Sequence, residues 1–393
     1  MTSNKSLYLS IFIDSYGYEL IKMYGNLLDE VTESYPLEMQ FGYSATAIPT
    51  ILTGKEPFEH GQFTFFYRHF EGNSIFKFFD SIWFKMIPNM VSKRRRFRVL
   101  LSRILKSYFN IKGYFDLYAV PFKNLKYFDY SEKNDLFAAK AFDDIKNLKD
   151  ILLEKNIPHF ISDWRKSEEQ NFAELSEIIE AGNKKFIFAY FAGLDGIQHM
   201  YTKNGNETKE KLNWYKNKIS ALLNMANQKY GQVEFSIFSD HGMTSLKQEV
   251  NIYPIIDQLN LKFGTDYLSF VDSTMFRVWY LNPEVRNLIR DTIANSNIPG
   301  RFLSELELID WGINFPDHKY GDDIFLVNPG VQLNPSDMGG KALPGMHGYD
   351  PSDDDSYAIW LSNYRPSKSP KKVKDIFYCI NEKINEMASE SKP

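Results

Sequence analysis

The sequence predicts an α/β fold: a mostly parallel central sheet flanked by helices, with an inserted segment and a small lid subdomain. Three observations predict it. Runs rich in β-branched and aromatic residues recur at residues 7–13, 185–194 and 233–239, each ending in a polar residue and a turn. Helical patterns over 137–154 and 172–179, with a short strand at 158–162 between them, give a β-α-β-α-β order. Each long run also delivers an aspartate beyond its carboxyl end, Asp14, Asp195 and Asp240. Open parallel sheets gather their functional groups at that end.

The elements follow in chain order. Residues 7–13 form an apolar run too short for a targeting segment, closed by Asp14 without a small-residue cleavage site, so the run reads as a buried first strand. Ser44 stands before an apolar helix-forming stretch that ends at Thr53-Gly54, so its hydroxyl is expected at a helix N-terminus, where amides and dipole favour an anion; the same position would also suit a plain helix cap. About 71–132 breaks the sheet pattern. It carries Lys93, Arg94, Arg95, Arg96, Arg98, Arg103, Lys106 and Lys112 with no acid between Lys93 and Lys112. Phe97, Leu101, Ile104, Leu105 and Tyr108 fall at helical spacing within it, which predicts a basic amphipathic helix. Two readings of 93–112 stand: a peripheral contact with a membrane or anionic substrate, or a cap helix with a solvated basic face. A second break, 258–318, has weak strand patterns at 267–271 and 275–280 and a helical one at 283–294. Cys379 lies in an apolar stretch, 376–380, that reads as helix, and residues 389–393 are expected to fray.

Composition narrows the class. A chain of 393 residues can fold around one large sheet, and 43% hydrophobic with 24% charged residues is ordinary globular usage. Forty-six basic against 50 acidic side chains leave a net −4, so no global basic field exists to hold a nucleic-acid backbone. A single cysteine excludes an internal disulfide and a cysteine-rich zinc knuckle. The longest apolar runs are about half the ~20 residues that span a bilayer. The expected location is the cytoplasm.

The sharpest chemical signal is a set of Asp/His clusters with metal-ligand spacing. Asp195 and His199 stand four apart just after a strand, so both can face one way at a helix start. Asp240-His241-Gly242 supplies adjacent ligands at another strand end, with Gly242 expected to allow a tight turn beneath an ion. His347, between Met346 and Gly348, adds an imidazole in a loop. Each alone has a plain explanation as a cap or turn residue. Their coincidence at strand ends does not.

Asp14 after the first strand, Ser44 nine positions before Thr53-Gly54, Asp195-x-x-x-His199, Ser239-Asp240-His241-Gly242-Met243 and His347-Gly348-Tyr349-Asp350, in this order, resemble the alkaline phosphatase superfamily, with the type I phosphodiesterase/nucleotide pyrophosphatase group as the most similar branch. The resemblance implies a binuclear metal site in which Asp14, Ser44, Asp240 and His241 hold one ion and Asp195, His199 and His347 the other. Mixed imidazole and carboxylate donors suit two Zn²⁺ ions, and Mn²⁺ also accepts them. Ser44 would be the nucleophile, forming a covalent phosphoseryl intermediate.

Two departures from the pattern bear on substrate. Nucleotide pyrophosphatases have Thr followed three residues later by an Asn that binds a nonbridging oxygen, whereas this chain has Ser44 and Ala47. The sulfatase Cys/Ser-x-Pro-x-Arg signature is absent, because Thr46 and Ile48 occupy its key positions. The resulting expectation is one alkaline-phosphatase-like domain, 1–393, with an insertion at about 72–133 and a lid at about 258–325. Its activity would be metal-dependent hydrolysis of a small-molecule phosphate diester or pyrophosphate linkage. The alternatives are transfer of the phospho group to a glycan or lipid hydroxyl, or metal binding with little catalysis.

Overall fold

The computed structural model describes residues 5–70, 74–81, 92 and 94–390. The chain divides into two compact units. The first comprises 1–55, 137–245 and 351–393, and the second 56–136 and 246–350.

The first unit is built on six strands: β1 (Ser6–Ile13), β2 (Glu33–Leu37), β3 (His159–Ile161), β4 (Phe186–Phe191), β5 (Gln232–Phe238) and β6 (Ala358–Ser362). Their order is β2-β6-β5-β1-β4-β3. β5, β1, β4 and β3 pair in parallel, and β6 runs against both of its neighbours. The predicted parallel core is therefore present, extended on one side by an antiparallel pair. β1 sits between β4 and β5 in the middle of the sheet, which explains its unbroken apolar sequence: seven of its eight residues are buried.

The flanking helices are α1 (Tyr18–Tyr24), α2 (Ser44–Thr53), α3 (Leu148–Glu154), α4 (Glu168–Ala181), α5 (Gly193–Tyr201), α6 (Asn206–Lys229) and α7 (Asp375–Glu390). On one face of the sheet, Phe172, Leu175 and Ile179 of α4 and Tyr215, Ile219 and Leu222 of α6 pack on Leu9, Ile11 and Ile187. That i, i+3/i+4, i+7 spacing is the apolar stripe of a helix lying on a sheet.

Three boundaries differ from expectation. The helical pattern over 137–154 yields a helix only from Leu148, because Lys140 and Asp143 take positive φ and Asn147 with Asp150 forms a capping box that starts the helix there. The strand expected to reach Leu194 ends at Phe191, since α5 begins at Gly193. At the C-terminus the expected fraying does not hold for Ser389, which lies within α7 and donates its hydroxyl to the Glu386 carbonyl at 2.6 Å.

The second unit contains a four-stranded antiparallel sheet in the order Tyr267–Val271, Met275–Tyr280, Asp323–Val327, Gly300–Phe302. Alternation assigns its two faces. Phe276, Val278 and Phe325 meet Val285, Ile289 and Ile293 of the helix Val285–Ala294, while Leu268, Phe270 and Trp279 face an aromatic cluster that includes Phe66, Phe76 and Tyr130. The basic helix predicted within 93–112 is present as Arg95–Tyr108; Lys93 itself lies outside the described residues, as do 72, 73 and 82–91 of the 72–133 segment.

Candidate active site

Three aspartates stand beyond the carboxyl ends of adjacent parallel strands: Asp14 directly after β1, Asp240 two residues after β5, and Asp195 in the first turn of α5, which follows β4. Asp14, Asp240 and His241 are all buried, and one ligand atom from each lies within 4.8 Å of the others. His241 Nε2 is 3.5 Å from Asp14 Oδ1 and 3.3 Å from Asp240 Oδ2. An oxygen of Asp195 lies within 4.8 Å of the same imidazole. His199, one turn further along α5, has Nε2 3.4 Å from Asp195 Oδ1, as i, i+4 spacing requires.

The backbone fixes the imidazole. His241 Nδ1 donates to the Gly242 carbonyl at 2.9 Å, so Nε2 presents its lone pair to the carboxylates. Gly242 is needed for close approach rather than for the expected tight turn. A Cβ there would sit 2.1 Å from the Asp355 carbonyl oxygen, and the Gly242 amide donates to Ser356 O at 3.0 Å.

Ser44 is the first residue of α2, and Tyr43 holds the cap position with extended backbone and no side-chain cap bond. The hydroxyl is therefore not spent on capping. It lies 3.1 Å from His241 Nε2. Every later residue of α2 is buried, Thr46 and Ala47 included, so Thr46 offers no second hydroxyl at the surface of the site and position 47 brings no polar group. Pro49 within the helix removes an amide donor; Thr50 and Thr53 hydroxyls donate to the carbonyls of Thr46 and Pro49 at 3.0 and 2.7 Å. Gly54 ends α2 in the left-handed region at φ 66°, where a side chain would also strike the Phe377 ring.

The electrostatics call for a cation. Burial above all, then the charges of Asp240 and Asp195, pushes the Asp14 carboxyl well above the usual carboxylate range. Asp14 Oδ1 and Asp240 Oδ2 are buried and accept no hydrogen bond from the described residues. Two buried carboxylate oxygens without donors, both directed at one imidazole lone pair, fit a divalent ion with mixed O and N ligands.

Residues that the sequence reading missed hold these ligands in place. Tyr190 donates its hydroxyl to Asp14 Oδ2 at 2.6 Å, leaving Oδ1 toward His241, and its ring packs on Phe12 and Phe137 at 4.8 and 5.4 Å between centroids. Ser15, at φ 64°, donates its amide to Asp240 Oδ1 at 3.2 Å, and Gln198 Nε2 donates to the Ser15 carbonyl at 2.6 Å. Glu168 accepts the Gly193 amide at 2.9 Å and so anchors the start of α5. The one available signal was a hydroxyl-bearing Tyr190 in an otherwise apolar strand. Tyr190→Phe keeps the packing and removes the bond, so divalent-metal affinity is expected to fall roughly 10–100-fold with little change in stability. Competition titration against a chelating dye checks this, and unchanged affinity would reduce Tyr190 to a packing role.

His347 belongs to the second unit, 6% exposed in the segment that follows the strand Gly345–Met346; the neighbouring Gly348 carbonyl accepts the Thr274 hydroxyl at 2.8 Å.

The sequence model of the type I phosphodiesterase / nucleotide pyrophosphatase family matches residues 30–350. No curated protein matches the chain by sequence. Among solved structures, human ectonucleotide pyrophosphatase / phosphodiesterase 5 is similar over 97% of this chain and 95% of its own, at TM-score 0.64 and 12% identity. The murine counterpart covers the same shares at TM-score 0.63 and 13% identity. An inactive variant of the murine protein, in complex with AMP, is similar at TM-score 0.61 and 13% identity, again over 97% and 95%. At these identities the structures establish the shared α/β fold, and the family match establishes the class of chemistry. The chain belongs, within the alkaline phosphatase superfamily, to the type I phosphodiesterase / nucleotide pyrophosphatase family, a family of phosphodiester hydrolases that use a binuclear metal site.

Proposed function

We propose that this protein hydrolyses a small-molecule phosphodiester or pyrophosphate linkage, with a nucleotide as the first substrate class to test, through a covalent intermediate on Ser44. The observation that carries the reading is the Ser44 hydroxyl 3.1 Å from His241 Nε2, beside the donor-free oxygens of Asp14 and Asp240. The nucleotide class is suggested by the AMP bound to the murine structural neighbour.

Asp14, Ser44, Asp240 and His241 would hold one divalent ion, and Asp195, His199 and His347 the other, with Zn²⁺ the best match to the donors. Bound divalent cations would supply the positive charge that lowers the pKa of the Ser44 hydroxyl and stabilises entering and leaving oxygens in an in-line displacement. The chain's own contribution is positional. The first turn of α2 directs Ser44 Oγ out of the buried helix, and free backbone amides at a helix N-terminus favour an anionic phosphoryl group there. Ser44 Oγ forms a bond to phosphorus as the bond to the leaving alcohol or phosphate breaks and the serine proton passes to the leaving oxygen; water then cleaves the phosphoseryl ester, its hydroxide joining phosphorus and its proton restoring the Oγ hydroxyl. With Ala47 in place of the family's Asn, a nonbridging oxygen receives no amide from that position. The 72–133 insertion and the 258–325 segment, both within the second unit, are the proposed sources of substrate selection.

The test is the initial-rate ratio for bis(para-nitrophenyl) phosphate against para-nitrophenyl phosphate with zinc-reconstituted protein. Preferred diester cleavage supports the reading. Preferred monoester cleavage overturns it, and capture of the phospho group by an added alcohol in place of water would identify a transferase.

A further inference from the structure

The helix Arg95–Tyr108 is oriented in a way that its sequence did not predict. A cap helix with a solvated basic face would turn Phe97, Leu101, Ile104, Leu105 and Tyr108 inward together. Only part of that set does so: Leu105 is buried and Phe97 and Leu101 pack half-buried against the aromatic cluster, beside the buried Arg98 and Ser102. Arg98 is 3% exposed and donates to the carbonyls of Ser92, Tyr118 and Val120 at 2.6, 2.9 and 2.8 Å, and the Ser102 hydroxyl accepts the Leu117 amide at 3.0 Å. Arg95 is held by both oxygens of Asp116 at 2.8 and 2.6 Å. Polar bonds thus anchor the helix from beneath together with the apolar packing of Phe97, Leu101 and Leu105.

The outward side carries apolar residues as well. Leu100, Ile104 and Tyr108 are 57%, 55% and 79% exposed, and their i, i+4, i+8 spacing places them in one line along the helix. Isolated exposed leucines are ordinary, but three large apolar side chains in a continuous row are not. The row runs into a cavity of 580 Å³ walled by Ile75, Phe78, Leu105, Tyr108 and Phe109, with Lys77 also in its lining. Exposed Arg96 and Arg103 flank the same row, the nearby acid Asp116 is engaged by Arg95, and no acidic residue occurs from Arg94 to Lys112.

We propose that this face docks the protein on the surface of an anionic phospholipid bilayer. An apolar row bordered by arginines matches the boundary between acyl chains and anionic headgroups: Leu100, Ile104 and Tyr108 enter the boundary while Arg96 and Arg103 reach the headgroups. Charge complementarity selects anionic lipid over zwitterionic lipid, and the apolar row selects a bilayer over a soluble polyanion. No described helix is long and apolar enough to cross a membrane, so the contact is peripheral. This reading is independent of the proposed hydrolytic function.

The experiment is co-sedimentation of the full chain with phosphatidylcholine vesicles, with and without phosphatidylserine, at low and high salt. Binding is expected only to the phosphatidylserine vesicles and is weakened by salt. Arg96→Gln with Arg103→Gln should lower partitioning about 25-fold, roughly fivefold per arginine. Leu100→Gln and Ile104→Gln should each lower it about tenfold or more. All four side chains are exposed, so far-ultraviolet circular dichroism and the thermal midpoint should match those of the unaltered protein and certify that the variants are folded. Absence of binding by the unaltered protein, equal binding to both vesicle types, or loss of binding in the arginine variant but not in the leucine and isoleucine variants would each overturn the proposal. The last result would mark a polyanion-binding face.

Discussion

Ser44→Ala is expected to lower single-turnover cleavage of bis(para-nitrophenyl) phosphate by about 10⁴-fold or more while metal content stays near that of the unaltered protein. The separation follows from geometry. The carboxylate and imidazole donors of Asp14, Asp240 and His241 come from the loops after β1 and β5, whereas Ser44 comes from α2, so truncating the hydroxyl leaves the carboxylate cluster intact. Nor can a neighbour replace it, because Thr46 and Thr50 are fully buried. Rapid-quench kinetics alongside elemental analysis would check both halves of the expectation. Retained turnover would transfer the nucleophilic role from Ser44 to water.

Asp240→Asn is the second large expected effect, and its sign differs between metal-free and metal-loaded protein. Asp240 Oδ1 accepts the amides of Ser15 and His241 at 3.2 and 3.1 Å, bonds that an asparagine oxygen can keep. Its Oδ2, buried without a donor, would be replaced by an NH₂ group near the Asp14 carboxylate. In metal-free protein this removes like-charge repulsion from Asp14, whose carboxyl is already pushed upward by burial and by Asp240. The thermal midpoint should therefore rise, by about 1 °C for each kcal/mol of relief in a chain of this length. In the presence of divalent metal the order inverts: affinity should fall by more than about 100-fold, beyond the loss expected from removing a supporting hydrogen bond, and the midpoint should stop responding to added metal. Differential scanning calorimetry with and without Zn²⁺ reads both signs. A midpoint that still climbs with metal in the variant would remove Asp240 from the ligand set.

Much of the fold was legible because strand burial is written in composition. β1 and β4 are parallel strands covered on both faces, so their apolar runs have few polar interruptions, and the aspartates that follow them stand out against that background; β5 shows the same pattern only in its buried second half. The reversed direction of β6 was not legible, since its sequence Ala358–Ser362 is as apolar as that of a parallel neighbour. The helix from 95 to 108 shows the same limit in another form. Its periodicity announced a helix, but periodicity cannot tell which residues face the protein when Arg98 is buried by bonds to four carbonyls and Leu100 stays exposed.

By itself the sequence determined the α/β class, the strand ends that carry Asp14, Asp195 and Asp240, and the presence of a serine at the start of a helix. Those features are local, set by hydrophobic period and by the turn that ends each strand. Only the tertiary structure decided that Ser44 is free of capping duty and faces His241, that Asp14 and Asp240 keep oxygens without donors, and that Tyr190, Ser15 and Gln198 hold them in position. Such facts depend on groups far apart in sequence meeting at the ends of parallel strands, as Ser15 and Asp240 do, 225 positions apart, beyond neighbouring β1 and β5. No local pattern encodes those meetings, because the register between strands is fixed by the packing of the whole sheet.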